Sequence, residues 1–229
     1  MPGVFLNDNA GICIFTRYIE IVLMEDMFDG GRKLPLVEDF YSIQGEGYHT
    51  GKAAYFIRLG GCDIGCSWCD AKFTWDRNLH QLADTEGIVV RASSLPAKAV
   101  VVTGGEPSAY PLDYLCSRLK DNYIKTYLET SGAYSLTGKW DWICLSPKKN
   151  SPPKPEIYKS ADELKIIVSD ISDLKWAEEN SGRVGKSCRL YLQPEWSRYE
   201  NIISPLVDYV KKYPEWSVSL QVHKFMHIP

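Results

Sequence analysis

Short apolar runs recur along the chain, and most of them end in a polar motif that contains glycine or proline. The first clear run, Ala53–Leu59, leads into a glycine-rich loop, and the run at residues 98–103 ends in Gly104-Gly105-Glu106-Pro107. Apolar runs of this length bounded by turn residues are typical of buried strands. Further strands are predicted at residues 126–129, Trp142–Leu145, Glu163–Val168, residues 189–192 and residues 218–222.

Helical spacing of apolar residues is present between several of these runs, at residues 112–119, 173–180 and 201–213. Strands that alternate with helices favour a parallel sheet with right-handed crossovers, whose ligands bind at the carboxyl ends of the strands. Residues 148–159 are rich in proline, lysine and serine, so we expect a loop in place of one crossover helix. The predicted fold is α/β, an incomplete (β/α) barrel of about six strands with few crossover helices.

Three of the seven cysteines lie within one glycine-rich loop, with the spacing C-x3-C-x2-C at Cys62, Cys66 and Cys69. Thiolates are soft ligands that suit iron–sulfur clusters or zinc. A cubane cluster normally takes four cysteines, and a structural zinc site has all four positions closed. No fourth cysteine or close histidine completes this set, so the open position indicates chemistry on a bound small molecule.

Composition excludes several classes of protein. A chain of 229 residues with 45% hydrophobic content suits one domain with a substantial core. The net charge of -3 gives no electrostatic support for nucleic-acid binding. Charged residues interrupt the apolar stretch at residues 12–28, which excludes a membrane span and fits a secretory signal poorly. We interpret residues 1–33 as an N-terminal extension and residues 34–229 as the barrel domain, and the cysteine content predicts a reducing cytoplasm.

Two motifs resemble the radical S-adenosylmethionine (SAM) superfamily. The first is the C-x3-C-x2-C loop with Trp68 directly before its last cysteine. The second is Thr103-Gly104-Gly105-Glu106-Pro107, which resembles the GGEP element that holds the amino group of SAM in that superfamily. The resemblance implies a radical SAM core, an incomplete barrel that carries the cluster loop after its first strand.

The flanking motifs narrow the resemblance to the 7-carboxy-7-deazaguanine synthase family, over residues 36–229. That family converts 6-carboxy-5,6,7,8-tetrahydropterin to 7-carboxy-7-deazaguanine with loss of ammonia, using SAM catalytically with magnesium, and supplies the precursor of queuosine for tRNA modification. The motifs that carry this resemblance, besides the two above, are Gln44-Gly45-Glu46-Gly47, Arg58, Glu129-Thr130-Ser131-Gly132, Ser146-Pro147-Lys148, Leu192-Gln193-Pro194 and Gln221-Val222-His223-Lys224.

The resemblance implies a role for each matching residue. Cys62, Cys66 and Cys69 would hold a 4Fe-4S cluster whose fourth iron binds SAM, and reduction would release a 5′-deoxyadenosyl radical. The implied SAM contacts are Gly105, Ser131, Ser146, Pro147, Lys148, Leu192, Gln193, Pro194 and Glu195. The implied pterin contacts are Ile43, Gln44, Gly45, Arg58, Thr103, His223 and the C-terminal Pro229.

Arg58 is also predicted as a site residue from physical chemistry. It interrupts an apolar run, and a buried guanidinium needs an anionic partner, either a structural carboxylate or a carboxylate of the substrate. His223 and Pro229 admit a second interpretation, as a core histidine and a frayed tail. The family also implies a homodimer and an electron donor such as flavodoxin or ferredoxin.

The chain departs from the family pattern at Ala71, where relatives commonly have a threonine that binds magnesium. Alanine offers no side-chain oxygen, and magnesium prefers hard oxygen ligands. Asp70 could still help to hold the ion, so we expect magnesium to assist, with a weaker dependence than in relatives.

Two other functions remain open at this point. One is a radical SAM activase that abstracts hydrogen from a partner protein. The other is a non-catalytic zinc module, in which Asp70, His49 or His80 completes the three-thiol site.

Overall fold

The computed structural model describes residues 27–229, which form one nine-stranded sheet flanked by helices. The sheet order is β3-β1-β2-β4-β5-β6-β7-β8-β9. The strands are β1 (Lys33–Ile43), β2 (Ala53–Leu59), β3 (Leu82–Asp84), β4 (Ala99–Gly104), β5 (Lys125–Thr130), β6 (Trp142–Leu145), β7 (Glu163–Val168), β8 (Arg189–Pro194) and β9 (Trp216–Val218).

The sheet is parallel from β2 through β4 to β9, and β1 pairs antiparallel with both β2 and β3. Within residues 27–229 the two edge strands, β3 and β9, do not pair with each other, so the sheet is open. This arrangement confirms the predicted incomplete barrel, with seven parallel strands in place of the expected six or so.

Within the described residues, six α-helices cover the outer face of the sheet or lie at its ends. They are α1 (Thr85–Ser93), α2 (Asp113–Asp121), α3 (Ile157–Ser160), α4 (Asp173–Ser181), α5 (Tyr199–Lys212) and α6 (Val222–Met226). The helices predicted at residues 112–119, 173–180 and 201–213 correspond to α2, α4 and α5. The sequence analysis did not predict α1, in which Asp84 caps the first turn by accepting a hydrogen bond from the backbone N–H of Gly87 at 3.2 Å.

Two local predictions need correction. The last strand was predicted at residues 218–222, but in the structure it spans Trp216–Val218. Val222 is instead the first residue of α6. The stretch at residues 148–159 is mostly loop, as predicted, but α3 forms within it at its end. The buried Ile157 and Tyr158 explain this single helical turn, because both side chains pack into the core beneath it.

Alternation along the strands separates an outer, apolar face from an inner face that carries the polar groups. Val100 and Val102 of β4 are fully buried against the helices, whereas Val101 and Thr103 face the interior of the open barrel. The same rule holds for β7, where Leu164 and Ile166 join the outer core.

An aromatic cluster fills the interior at the amino ends of the strands. The segment between β1 and β2 folds inward, where the Tyr48 ring stacks on Trp142 with centroids 4.6 Å apart and the His49 ring stacks on Tyr127 at 4.2 Å. The indole N–H of Trp142 donates a hydrogen bond to Glu163 Oε2 at 3.0 Å. Burial raises the pKa of Glu163 and lowers that of His49 to about 4, as expected for polar groups enclosed by rings. The aromatic cluster therefore occupies the interior at this end of the barrel.

The proposed N-terminal extension, residues 1–33, lies mostly outside the described residues. Of its described part, Phe28 is 1% exposed and packs edge-on against Tyr110 with centroids 5.0 Å apart. Phe28 thus packs in the same core as the barrel strands. The boundary between an N-terminal extension and the barrel domain at residue 33 stays a prediction. In the part of the chain that the structure describes, no helix is long and apolar enough to cross a membrane.

Candidate active site

A cavity of about 440 Å³ opens at the carboxyl ends of the parallel strands. It lies opposite the aromatic cluster, at the position where parallel α/β folds place their ligands. The polar motifs at the ends of β2, β4, β5, β6 and β8 all contribute to its walls.

Nearly all of the predicted site residues line this cavity, although their roles stay predictions. The residues brought together are Cys62, Cys66, Cys69, Ala71, Gly105, Ser131, Ser146, Lys148, Gln193, Pro194, Glu195, Ile43, Gln44, Gly45, Arg58, Thr103, His223 and Pro229. Two are not among the lining residues. Leu192 is fully buried in the outer core because it alternates with the inward-facing Gln193, and Pro147 lies beside Ser146 without lining the cavity.

Backbone hydrogen bonds at its start help to hold the cysteine loop, together with side-chain contacts such as the one from the Tyr134 hydroxyl to Asp63 Oδ2 at 2.5 Å. Gly61 N–H donates to the carbonyl of Thr74 at 2.6 Å, and Cys62 N–H donates to that of Trp75 at 3.0 Å. Gly61 has φ +96°, and a Cβ there would lie 2.2 Å from the Tyr110 hydroxyl, so the turn requires glycine. The backbone thus leaves the thiols free to face the cavity.

The three thiols suit an iron–sulfur cluster better than a single metal ion. All three are partly exposed and free, and they line one cavity. Yet within residues 27–229 no three histidine, cysteine or carboxylate side chains lie close enough together to hold one metal ion. A cubane places its cysteine sulfurs on separate irons, whereas zinc draws its ligands to one point. Burial raises the pKa of Cys62 and Cys66, so these thiols need a bound metal centre to become thiolates.

Gly105 brings the GGEP turn into close contact with the cysteine loop. A Cβ at this position would lie 2.2 Å from the carbonyl oxygen of Gly61 and 3.1 Å from Cys62 Cβ. Only glycine therefore lets the GGEP turn sit directly against the cysteine loop. This close contact between the two motifs fits a small ligand that bridges a cluster on the loop and the GGEP turn.

Glu106 organises the turn of which it is part. It is 1% exposed and accepts hydrogen bonds from Ser108 Oγ at 2.7 Å, from Thr130 Oγ1 at 2.5 Å and from the backbone N–H of Ser131 at 2.8 Å. These donors come from the motifs after β4 and β5. The carboxylate therefore joins two adjacent loops of the cavity rim.

Lys148 lies close to the cysteine loop. Its Nζ donates hydrogen bonds to the backbone carbonyl and the hydroxyl of Ser146 at 2.8 and 2.6 Å, and it lies 5.4 Å from the ring centre of Trp68. Burial lowers the pKa of this ammonium, while the nearby Cys66 acts in the opposite direction. Lys148 thus places a positive charge beside the cysteine loop, where the anionic group of a ligand could bind.

Arg58 occupies the opposite wall between two aromatic rings. Its guanidinium lies 5.9 Å from the ring centres of both Phe40 and Phe73, and Nε donates to Glu38 Oε1 at 2.7 Å. The arginine therefore has the structural partner expected from its burial, and it also lines the cavity. Its nitrogens other than Nε remain able to bind a ligand carboxylate.

The C-terminal segment completes the wall beside Arg58. Ser42 Oγ donates to the carbonyl oxygen of Pro229 at 3.1 Å, and Val222 N–H donates to the carbonyl of Gly45 at 2.9 Å. A Cβ on Gly45 would lie 2.2 Å from His223 Nδ1, so the glycine lets the histidine approach. The chain end thus folds back into the cavity, and the interpretation of a frayed tail is wrong.

The position at which the sequence analysis considers a magnesium ligand lies at Ala71 and Asp70. Ala71 lines the cavity without an oxygen donor. The neighbouring Asp70 accepts hydrogen bonds from Lys224 Nζ at 2.7 Å and Gln221 Nε2 at 3.2 Å. The Asp70 carboxylate is therefore already paired with protein donors, and the side chains at this position do not form a magnesium-binding site.

Sequence reasoning missed an ion-paired group on the floor of the cavity. Lys165 of β7 is 3% exposed, and its Nζ donates to Glu46 Oε2 at 2.5 Å and Glu129 Oε2 at 2.9 Å. Gln44 donates to Glu129 at 3.2 Å, and Gln221 donates to Glu46 at 2.9 Å. A lysine in the middle of an otherwise apolar strand was the signal that could have revealed this group.

A comparison with protein families places the fold and the cysteine loop in a known class. The model of the Radical SAM superfamily matches residues 56–143, which run from β2 through the cysteine loop and the GGEP turn into β6. The chain is thus a radical SAM protein, and such proteins use a 4Fe-4S cluster and SAM.

Individual relatives narrow the class. A 7-carboxy-7-deazaguanine synthase from Flavobacterium psychrophilum is 50% identical over 94% of this chain and 100% of the relative. A 7-carboxy-7-deazaguanine synthase from Synechocystis sp. is 43% identical over 85% of this chain and 93% of the relative. The crystal structure of QueE from Escherichia coli matches with a TM-score of 0.75 and 29% identity, covering 86% of this chain and 97% of that one. The chain belongs to the 7-carboxy-7-deazaguanine synthase family.

Proposed function

We propose that this protein converts 6-carboxy-5,6,7,8-tetrahydropterin to 7-carboxy-7-deazaguanine with loss of ammonia, a step of queuosine biosynthesis. The observation that carries the proposal is the convergence of the predicted cluster, SAM and pterin residues on one cavity of about 440 Å³. Neither a partner-protein activase nor a zinc module accounts for that convergence, since both leave the walls around Arg58 and the C-terminus without a role.

Cys62, Cys66 and Cys69 would hold the cluster, and the GGEP turn with Lys148 would hold SAM beside it. When bound, the cluster and SAM supply one-electron cleavage of SAM to a carbon-centred radical that abstracts hydrogen. The protein's own work is to bind the two ligands in contact, orient the reacting C–H bond and exclude water. The stacked rings at the amino end of the barrel contribute to that exclusion.

Arg58 and the C-terminal segment would hold the substrate on the opposite wall. The guanidinium can take the substrate carboxylate in a two-point contact, while the rings of Phe40 and Phe73 keep it in place. His223 and the carboxyl group of Pro229 lie within reach of the same part of the cavity. Burial lowers the pKa of His223, which favours a neutral imidazole that can both donate and accept a hydrogen bond.

Magnesium, the reductant and the assembly remain expectations from the family. With Ala71 in place of a threonine and Asp70 paired with Lys224, we expect the activity to depend only weakly on magnesium. We also expect a homodimer, and reduction by a flavodoxin or ferredoxin. The cysteines within the described residues are all free thiols, which supports a cytoplasmic location.

The test is anaerobic incubation of the reconstituted protein with SAM, dithionite and 6-carboxytetrahydropterin, followed by mass spectrometry. We expect both 7-carboxy-7-deazaguanine and 5′-deoxyadenosine. Deoxyadenosine without the deazaguanine would refute the substrate while leaving the superfamily intact. A protein that takes up zinc but no iron would refute the radical chemistry altogether.

A further inference from the structure

The charges on the cavity floor do not balance. Glu46 and Glu129 come from the segment after β1 and from β5, and both carboxylates bind the one ammonium of Lys165. The side chains are 18%, 21% and 4% exposed, respectively. One cation between two carboxylates leaves a net negative charge in a place with little water, which is costly unless a ligand compensates for it.

The other carboxylates of the cavity are already satisfied by the protein. Glu106 is surrounded by hydroxyl and backbone donors of its own loops, and Glu195 accepts from the backbone N–H and the hydroxyl of Ser197 at 2.9 and 2.6 Å. Asp70 is paired with Lys224 at 2.7 Å. The pair on Lys165 differs from these carboxylates, because its two members share one ammonium and their side chains are only 18% and 21% exposed.

Each of the two carboxylates has one protein donor besides the lysine. Gln221 Nε2 donates to Oε1 of Glu46, and Gln44 Nε2 donates to Oε1 of Glu129. An ionised carboxylate has about four acceptor positions, so both groups can accept further N–H donors from a bound molecule. The two glutamines fix the carboxylate planes, and the lysine fixes the distance between them.

The ionisation states agree with this geometry. Burial would raise the pKa of Glu46, but the charge and hydrogen bond of Lys165 lower it to about 2. Burial would lower the pKa of Lys165, but the acidic groups around it raise it well above its usual value. The titratable groups that face this ammonium are Cys144 on β6, Glu163 on β7, Glu46, Glu129, Lys148 and His223.

We propose that Lys165 is a positioning residue for the pterin, holding the carboxylates of Glu46 and Glu129 side by side as acceptors for the N–H donors of its aminopyrimidine ring. The inference rests on the proposed function and deepens it. The 2-amino group and ring N–H of such a substrate are adjacent donors that a carboxylate can bind at two points. Lys165 itself need not touch the substrate, because it acts through the two glutamates.

The test compares reconstituted holoenzymes of the wild type, Lys165→Met, the double variant Lys165→Met/Glu129→Gln and the control Lys211→Met. Lys211 is an exposed lysine on α5, far from the floor group in sequence, and among the described residues its ion-pair partner is Asp208 at 3.6 Å. For each protein we would measure cluster absorbance, deoxyadenosine formation without pterin, KM and kcat for the pterin, thermal stability, and kcat/KM from pH 6 to pH 8.

We expect Lys165→Met to raise KM by about 30-fold or more, because it leaves two carboxylates unpaired and free to move apart. Cluster absorbance and pterin-independent deoxyadenosine formation stay at wild-type levels. Any loss of kcat/KM toward acid begins at a higher pH than in the wild type, since Glu46 without the ammonium takes up a proton more readily. Lys211→Met behaves as the wild type.

The double variant separates positioning from simple charge balance. Removing one carboxylate along with the lysine relieves the repulsion, so we expect thermal stability to recover while KM stays raised. If KM and the pH profile recover together with stability, Lys165 is structural and the inference is wrong. It is equally wrong if Lys165→Met keeps the wild-type KM. A wild-type enzyme that forms deoxyadenosine but no deazaguanine would instead refute the proposed function, and the inference with it.

Discussion

The two sides of the active-site cavity are built on different principles. On one side, the cysteine loop presents three partly exposed thiols, and its shape depends on backbone hydrogen bonds to residues 74 and 75. On the other, the floor has the buried Lys165 paired with the half-buried Glu46 and Glu129, all three carried by strands or by the turns next to them. On the proposed assignment, the loop would receive its ligand-binding geometry from the cluster, whereas the floor already has its geometry in the protein.

This difference separates two tasks of the enzyme. The cysteine loop has to hold a group that brings its own chemistry, so a few thiols on a glycine-rich loop suffice. The floor and the Arg58 wall have to recognise one substrate, which requires fixed donors and acceptors. Changes on the cysteine side should therefore abolish the reaction, while changes on the substrate side should weaken affinity and leave SAM cleavage intact.

The largest effect is expected from Cys66→Ala, which removes one of three cluster ligands. We expect loss of the iron–sulfur absorbance and of both products, because the remaining two thiols cannot hold a cubane. Iron analysis and mass spectrometry of the reaction would check this. The control is Cys116→Ala, a buried thiol of α2 outside the cavity. Activity retained in Cys66→Ala would contradict the prediction, since the cysteine loop would then not be needed for the reaction.

Arg58→Ala should raise KM for the pterin by about 100-fold, because a desolvated carboxylate loses its paired cation. Arg58→Lys should recover only part of this, since an ammonium cannot make the two-point contact. Steady-state kinetics give KM, and deoxyadenosine formation without pterin should be unchanged. Arg118→Ala, which removes an exposed ion pair with Glu86, serves as the control. An unchanged KM in Arg58→Ala would move substrate recognition away from this wall.

A smaller effect is expected from Gly45→Ala, which tests the contact between the first strand's loop and the C-terminal segment. The new methyl group would lie 2.2 Å from His223 Nδ1 and would displace the histidine. We expect KM to rise about 10-fold with the cluster intact, as for a small misplacement of a positioning group. Gly185→Ala is the matched control, since a Cβ there meets nothing within 4 Å. Equal kinetics for the two variants would argue against a role of His223 in substrate binding.

The smallest effect is expected from removal of magnesium. Thorough chelation should lower the rate by no more than about threefold, because Ala71 offers no oxygen and the Asp70 carboxylate is paired. Ala71→Thr should increase the dependence on magnesium by restoring a hydroxyl. Rates measured across a magnesium titration would check both statements. A wild-type activity that vanishes on chelation would show that substrate and solvent oxygens are enough to hold the ion.

The sequence predicted those parts of the fold and site that depend on short continuous segments. Apolar runs such as Ala53–Leu59 became strands, and the motifs after them met at one rim because parallel strands align their carboxyl ends. The helix Thr85–Ser93 was missed because its start depends on the Asp84 cap rather than on a strong apolar period. The floor group was missed for another reason. Lys165 is 119 positions from Glu46 and 36 positions from Glu129 in the sequence, so only the folded sheet brings the three residues together.

The aromatic cluster at the amino end of the barrel has a consequence for the kinetic order of the reaction. Tyr48 and His49 stack on Trp142 and Tyr127 in the interior at that end, while the ligand cavity of the described residues lies at the strand carboxyl ends, so we expect both ligands to share that entrance. Of two ligands that use one entrance, the one that binds deeper must arrive first and leave last. We therefore expect an obligatory order of binding, visible as a characteristic pattern of product inhibition.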